Sequence, residues 1–470
     1  MSPAFGALVL FEARRQLRNP ILLLLAAVTL AARTAASWRL MPHWSLATVD
    51  TATALLILGA GAMLATNLAA LRDGRGGFAE LLAPLPSRPK TRTLAVLVAA
   101  TSVSAFVAVV VIGLHFASLT VNSVPVGRFD VTELVTGVVM VALLSAAGVA
   151  LARWVPVLIA APLAALVLTW AMFQFPGSWL LPVVPDLKIV VDSARPPLWH
   201  LLYVAGAFLA IAAVALLRHG PRPGIVVAAG TALAVLGGVL TLNSPEAALP
   251  SATADRVVPR GPVTAGADHC LAHNGIRYCS FPTYAAWIPL WQQAIEPVVE
   301  AVPPAVRQRA PEIVQRVNIG QLGKPTAIMP PVTWGRNGGE VGSRRSLAAQ
   351  MAGVLTGFQS RVGLLESMDG CDARDRSRTV VALWLTGHTE KAVAPQRIHT
   401  RPDSDMGAID YGETELRYAS ALLADSEAKQ RIWANWDVLV DPATTLGKGL
   451  PLLGLRQTEP IEAPRGTPCQ

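Results

Sequence analysis

The chain has 470 residues, 52% hydrophobic and only 15% charged, with a formal net charge of +8. Soluble domains carry about 25% charged residues, so this composition excludes an ordinary soluble chain and points to a membrane protein. Residues 1–243 hold 16 Lys and Arg against 8 Asp and Glu, while residues 244–470 hold 23 of each. Basic charge beside apolar spans reads as a topology determinant and lipid-headgroup contact, which disfavours a nucleic-acid partner.

Residues 1–19 form the first predicted element. Phe5–Pro20 can lie as a helix on the inner membrane surface, apolar residues toward lipid and Arg14, Arg15 and Arg18 toward phosphates. The apolar stretch from Pro20 is long enough to cross a bilayer core and further spans follow, so it reads as a retained anchor and not a cleaved leader. Seven spans are predicted within residues 20–243, at about 20–38, 51–71, 93–114, 131–152, 155–173, 198–217 and 224–242. With the N-terminus cytoplasmic, the inside segments carry eleven Lys and Arg and the outside loops between spans carry four, the asymmetry that the positive-inside rule expects. Seven is odd, so residues 244–470 are delivered outside. The pair at 131–173 is split only by Arg153 and Pro156, and the parity argument fails if those two are one re-entrant unit. Arg33 reads as an interface anchor whose stem snorkels; His115 and His200 read as structural residues at outer span ends.

The loop 72–92 joins spans two and three. Glycines open it, a short helix Phe78–Ala83 follows, and Pro84 and Pro86 stop it. Exposed Phe78, Leu81 and Leu82 need a surface to cover them: lipid, the span ends, or a groove on a cytoplasmic partner.

Two stretches resemble the permease subunit of type-2 ABC exporters. One is Phe11-Glu12-Ala13-Arg14-Arg15 ahead of the first span. The other is Arg72-Asp73, Glu80-Leu81-Leu82, Pro84, Pro86 and Arg92-Thr93-Leu94-Ala95. The resemblance covers about residues 3–218. It implies an interfacial helix containing Phe11, Glu12, Arg14, Arg15 and Arg18, and a coupling helix, Phe78, Ala79, Glu80, Leu81 and Leu82, that docks on a cytoplasmic ABC ATPase. It also implies a second permease chain, identical or related. The family core has six spans with both ends inside, so the seventh span and the outer domain depart from it. A phosphate-cradling loop needs Gly-x-x-x-x-Gly-Lys-[Ser/Thr]; Gly323-Lys324-Pro325 and Gly447-Lys448-Gly449 do not fit. ATP and Mg²⁺ therefore belong to the partner, and no cofactor is expected on this chain.

Residues 244–266 read as a linker and 267–470 as a soluble extracytoplasmic domain, α or α+β, large enough for its own core. Helices are predicted near 282–301, 344–359, 376–387 and 412–438, and extended pieces near 313–319 and 326–334. All four cysteines, Cys270, Cys279, Cys371 and Cys469, follow the last span. In an oxidising compartment they suggest disulfides: Cys270 with Cys279 around the Asn274-Gly275 turn, and Cys371 with Cys469 by elimination. The rival is a metal site from His269, Cys270, His273 and Cys279, whose spacing fits no standard ligand frame. The clusters His388, Glu390, His399, Asp403 and Asp369, Asp372, Asp375 read as solvated loops, the latter neutralised by Arg374, Arg376 and Arg378. Trp287, Trp291, Trp334, Trp384, Trp433 and Trp436 read mostly as core. No hydrolase motif is present.

The expected fold is thus a polytopic α-helical membrane protein of about seven spans plus a soluble extracytoplasmic domain. The expected function is a multi-pass exporter permease of the cell membrane, not itself an enzyme. The alternative is a membrane-anchored extracytoplasmic binding or sensor protein that uses the spans as scaffold.

Overall fold

The computed structural model describes residues 3–38, 40–72, 89–122, 125–127, 129–174, 197–221, 223–242, 267, 269–315, 327–328, 330, 334–335, 339–358, 371–390, 398–399, 408–458, 460–466 and 468–469. The chain divides into two compact units, Met1–Trp38 with Pro42–Val258, and Arg39–Met41 with Pro259–Gln470.

The first unit is helical. Its elements are α1 (Pro3–Leu17), α2 (Pro20–Ser37), α3 (Trp44–Leu71), α4 (Pro89–Asn122), α5 (Val131–Trp154), α6 (Ala160–Gln174), α7 (Pro197–Leu217) and α8 (Pro223–Leu242). Five of them, α2 to α5 and α7, are long and apolar enough to cross a membrane. The other two predicted spans fall on shorter described apolar stretches. Val155 leaves the helical region (φ −126°, ψ 79°), as a residue before proline does. With Pro156 next, α6 starts only at Ala160, and its 15 residues reach about 22 Å at 1.5 Å per residue. In α8 the described apolar stretch is Pro223–Leu233. α3 begins seven residues earlier than expected because His43 caps it, its Nδ1 accepting from the Leu46 N–H at 3.2 Å.

Contacts fix the helix directions. Gly137 lies against Ala52 and Leu55, Gly59 against Leu144, and Gly148 against Met63 and Thr66. Numbers rise together, so α3 and α5 run parallel. Arg33 meets Asp50 and Gly61 meets Leu25, so α2 opposes α3. Thr93 meets His219, Ser104 meets Ser145 and Phe116 stacks on Trp44, so α4 opposes α5. The Trp154 indole donates to the Val214 carbonyl at 2.9 Å, which with Thr93–His219 places the C-terminal ends of α5 and α7 together. α7 therefore starts at the end where α5 started.

The α3–α5 seam is the most extensive helix pair. Without water between helices, small residues and interhelical hydrogen bonds hold such seams. Thr66 Oγ1 donates to the Ser145 carbonyl at 2.9 Å and Asn67 Nδ2 to the Gly148 carbonyl at 3.2 Å. A Cβ on Gly148 would collide with the Thr66 hydroxyl and the Met63 backbone carbonyl. Gly148→Ala is therefore expected to cost about 1–3 kcal/mol through overpacking, read as a lower unfolding midpoint in detergent.

The second unit mixes helices with two small sheets. β1 (His269–His273) and β2 (Ile276–Ser280) form a hairpin across Asn274-Gly275, both at positive φ (50° and 80°), the two-residue turn that suits Asn-Gly. Cys270 and Cys279 are directly paired in its register. β2 continues in parallel to β3 (Glu312–Val314), and β3 to β4 (Ala327–Ile328). The crossover runs through a 3₁₀ turn, Pro282–Trp287, and α9 (Ile288–Ala301), whose buried face is Ile288, Trp291, Ile295, Val298 and Val299. α10 (Pro304–Arg307) is one turn and α11 (Gly339–Leu355) packs on α9. The second sheet has order β5-β7-β6, from Cys371–Asp372, Ala408–Asp410 and Ile398–His399. α12 (Ser377–Gly387) is buried from Ser377 to Thr386. The helix expected over 412–438 is three: α13 (Glu413–Leu423), α14 (Ala428–Ala434) and α15 (Trp436–Val440), followed by α16 (Leu446–Leu452). Asp425 makes the first break, its carboxylate accepting from the Glu427 N–H and pairing with Arg431.

Candidate functional site

At the end where α3 finishes and α4 begins, α1 is bound through polar groups. Glu12 Oε1 accepts from Arg72 Nη2 at 2.8 Å, and Glu12 and Gln16 are the buried residues of α1. Phe5, Leu8, Val9 and Ala13 are half-buried on the same side, and α1 packs on α4. Phe11, Arg14, Arg15 and Arg18, spaced i, i+3, i+4 and i+7, share the opposite face and are exposed. The expected separation of apolar and basic faces is thus replaced by a different one: Phe11 lies among the arginines, and a carboxylate faces the protein. Asp73 and the coupling-type residues Phe78, Ala79, Glu80, Leu81 and Leu82 lie outside the described residues.

The same end collects the basic residues of the span ends. Lys90 and Arg92 lie in the first turn of α4, Arg153 at the close of α5 and Arg218 just after α7. His219 Nε2 and Thr93 Oγ1 are 2.8 Å apart.

The opposite end holds a polar group that sequence reasoning missed. Arg33 Nη2 pairs with Asp50 Oδ2 at 3.0 Å, with the arginine side chain 10% exposed. Glu133 and His115 are buried, and Arg33 acts on His115 through space. Neither ring nitrogen of His115 makes a hydrogen bond among the described residues. Arg33 is therefore tied across helices and does not snorkel freely. The missed signal was Asp50: with a span drawn from 51, it fell in a loop, whereas α3 carries it two turns into a helix. His200 is likewise buried, stacked on Tyr203. Asp130 caps α5, accepting from the Thr132 and Glu133 N–H groups.

Both disulfides are present, Cys270–Cys279 and Cys371–Cys469. The rival metal ligands do not converge: the cysteines are oxidised, and His273 faces Glu296 at 3.4 Å. Among the described residues no group of three His, Cys, Asp or Glu is placed to hold a metal ion.

Two of the aspartates read as solvated have structural work. Asp372 is buried and accepts from the Arg374 and Arg465 backbone N–H groups and from Arg374 Nη1. Asp375 Oδ1 accepts from the Leu446 N–H. Asp369 and Asp403 lie outside the described residues. Arg378, read as part of a neutralised surface, is fully buried. Its Nη2 donates to the Cys469 carbonyl at 2.8 Å and its guanidinium lies 4.2 Å over the Phe358 ring. Burial holds its pKa below the usual arginine value. Glu390 pairs with Arg344 and His388 packs on Trp384. Of the six tryptophans of the second unit, all but Trp433 are buried, and Trp433 donates to the Ala301 carbonyl at 2.7 Å.

Five apolar helices of spanning length, packed through glycines and interhelical hydrogen bonds, point to a helical membrane protein carrying a disulfide-bonded second unit. Set against models of protein families, curated proteins and solved structures, the chain matches none.

Proposed function

We propose that the chain is the permease subunit of an ATP-driven exporter, working as a pair with a second permease chain and powered by a separate cytoplasmic ATPase. The observation that carries this reading is the Glu12–Arg72 ion pair. It joins the Phe11-Glu12-Ala13-Arg14-Arg15 stretch to the first residue of the coupling-type segment 72–92, the two places on which the exporter resemblance rests. A displacement of that segment by the ATPase would reach α1 through this pair, and α4 through the packing of α1. ATP and Mg²⁺ sit on the partner, and this chain supplies the pathway.

Topology supports the same reading. α3, α5 and α7 share one direction and α2 and α4 the other, which supports the reading of residues 20–242 as seven alternating passes. The basic ends of α4, α5 and α7 then face the cytoplasm, and residues 267–470 lie outside, where disulfides persist.

The test is co-purification from the native host. The intact chain is expected to retain an ATPase, and Leu81→Glu to lose it. Glu12→Gln is expected to keep the ATPase bound while lowering substrate-stimulated ATP hydrolysis several-fold, because the pair transmits movement and does not form the dock. A chain that never retains an ATPase, with Leu81→Glu silent in transport, would sink the proposal.

A further inference from the structure

Basic residues at three neighbouring helix ends act on one half-buried histidine. Lys90 and Arg92 of α4, Arg153 of α5 and Arg218 after α7 all act on His219. The Thr93–His219 hydrogen bond and the Trp154–Val214 hydrogen bond hold the three helix ends together. Helix dipoles explain part of this: Arg153 and Arg218 sit at helix C-termini, where cations are stabilised. They do not explain Lys90 and Arg92, which occupy the first turn of α4, where cations are disfavoured. Orientation signals need basic residues near headgroups, but not gathered around a histidine. In addition, Arg92 Nη1 is buried and finds no acceptor among the described residues.

Beside the cations the surface turns apolar. Trp154, Val155, Val157, Leu158 and Ile159 are all exposed, Ile159 at 69%. A cationic cradle with an apolar flank matches a phosphate carried on acyl chains better than a free anion. Basic pockets between span ends take anionic headgroups in this manner.

We propose that the ends of α4, α5 and α7 form a binding site for one anionic phospholipid, its phosphate held by Arg92 and Arg218 beside His219, and its chains against Trp154–Ile159. The inference needs only that the unit lies in a membrane; it stands or falls separately from the exporter reading.

His219 reports on occupancy. Burial first, then the charges of Arg153, Arg218, Lys90 and Arg92, hold its imidazole below the ordinary histidine value. A bound phosphate offsets those charges and raises it. The experiment uses the full chain in nanodiscs of phosphatidylcholine alone or with phosphatidylglycerol. The His219 titration is followed by NMR and assigned with His219→Asn. Phosphatidylglycerol is expected to raise the His219 pKa by about one unit, and Arg92→Gln/Arg218→Gln to remove most of that difference. Arg218→Gln alone, at an exposed position, covers the case in which the double variant fails to fold and is expected to halve it. Arg14→Gln/Arg15→Gln on the far face of α1 is expected to leave it intact. Equal titration in the two lipids overturns the site. So does a difference that survives Arg92→Gln/Arg218→Gln, which marks diffuse membrane potential, or one reproduced by inorganic phosphate in phosphatidylcholine, which marks a free-anion site.

Discussion

Cys371→Ser/Cys469→Ser is expected to destabilise the C-terminal unit by about 4–5 kcal/mol, the chain-entropy value for a loop of this length. The bridge spans 98 residues, nearly half of the unit. A domain's whole stability is about 5–15 kcal/mol, so this one change takes much of it. The loss is compounded locally. The strap around Cys469 is held by its own N–H to the Asp372 carbonyl at 3.0 Å, by the Arg465 N–H to the Asp372 carboxylate, and by Arg378 to the Cys469 carbonyl. If the strap detaches, Arg378 keeps a buried charge without that acceptor, and an unmet buried donor costs more than the bond itself contributed. Pulse proteolysis of the intact, unreduced protein measures the effect at sites within residues 267–469. Cys270→Ser/Cys279→Ser gives the internal comparison. That bridge spans 9 residues in a hairpin already closed by its turn, and the same relation gives about 2–3 kcal/mol. Equal losses from the two pairs would contradict the account of the strap.

The second large effect concerns the helical unit. Asp50→Leu leaves the Arg33 guanidinium enclosed without its carboxylate, and breaking a buried pair from one side costs about 3–5 kcal/mol. Arg33→Met/Asp50→Leu is expected to recover most of that loss, since replacing both partners by apolar side chains removes the unmatched charge. The measurement is the unfolding midpoint of the intact protein in detergent for wild type, the single variants and the double variant. If Asp50→Leu alone unfolds like wild type, the pair is not enclosed. If the double variant is as weak as the single one, Asp50 serves its helix and not Arg33.

The helices of the first unit were legible because their signal is continuous. Long apolar runs bounded by Pro20, Arg72, Pro89, Asp130 and Pro197 put most helix starts within about five residues of where they fall, while α3 begins seven residues early and α4 runs eight residues past its expected end. Asp50 shows where that signal fails: hydropathy marks a charge as the edge of a span, whereas a paired charge can sit two turns inside a helix. Proline chemistry was underweighted at Val155-Pro156, which shortened α6. In the second unit, the Asn274-Gly275 turn and the two bridges were readable from local chemistry. The parallel pairing of β2 with β3 and of β5 with β7 was not, because strands of two to five residues carry too little alternation to register. Asp372 and Arg378 were misread for a related reason. Charge alternation along a sequence looks like a solvated face, and only the fold shows that one of these residues accepts from a distant strap while another points into the core.

The Arg378–Cys469 hydrogen bond also sets an order of events during synthesis. Its two residues are 91 positions apart, and ribosomes add about 5–20 residues per second. Arg378 therefore emerges about 5–20 seconds before its carbonyl partner exists. Throughout that interval the Arg378 guanidinium lacks one of its acceptors, and Cys371 lacks its partner. The Cys371–Cys469 bridge and the Arg378–Cys469 hydrogen bond therefore close late, after every other element of the unit has been made.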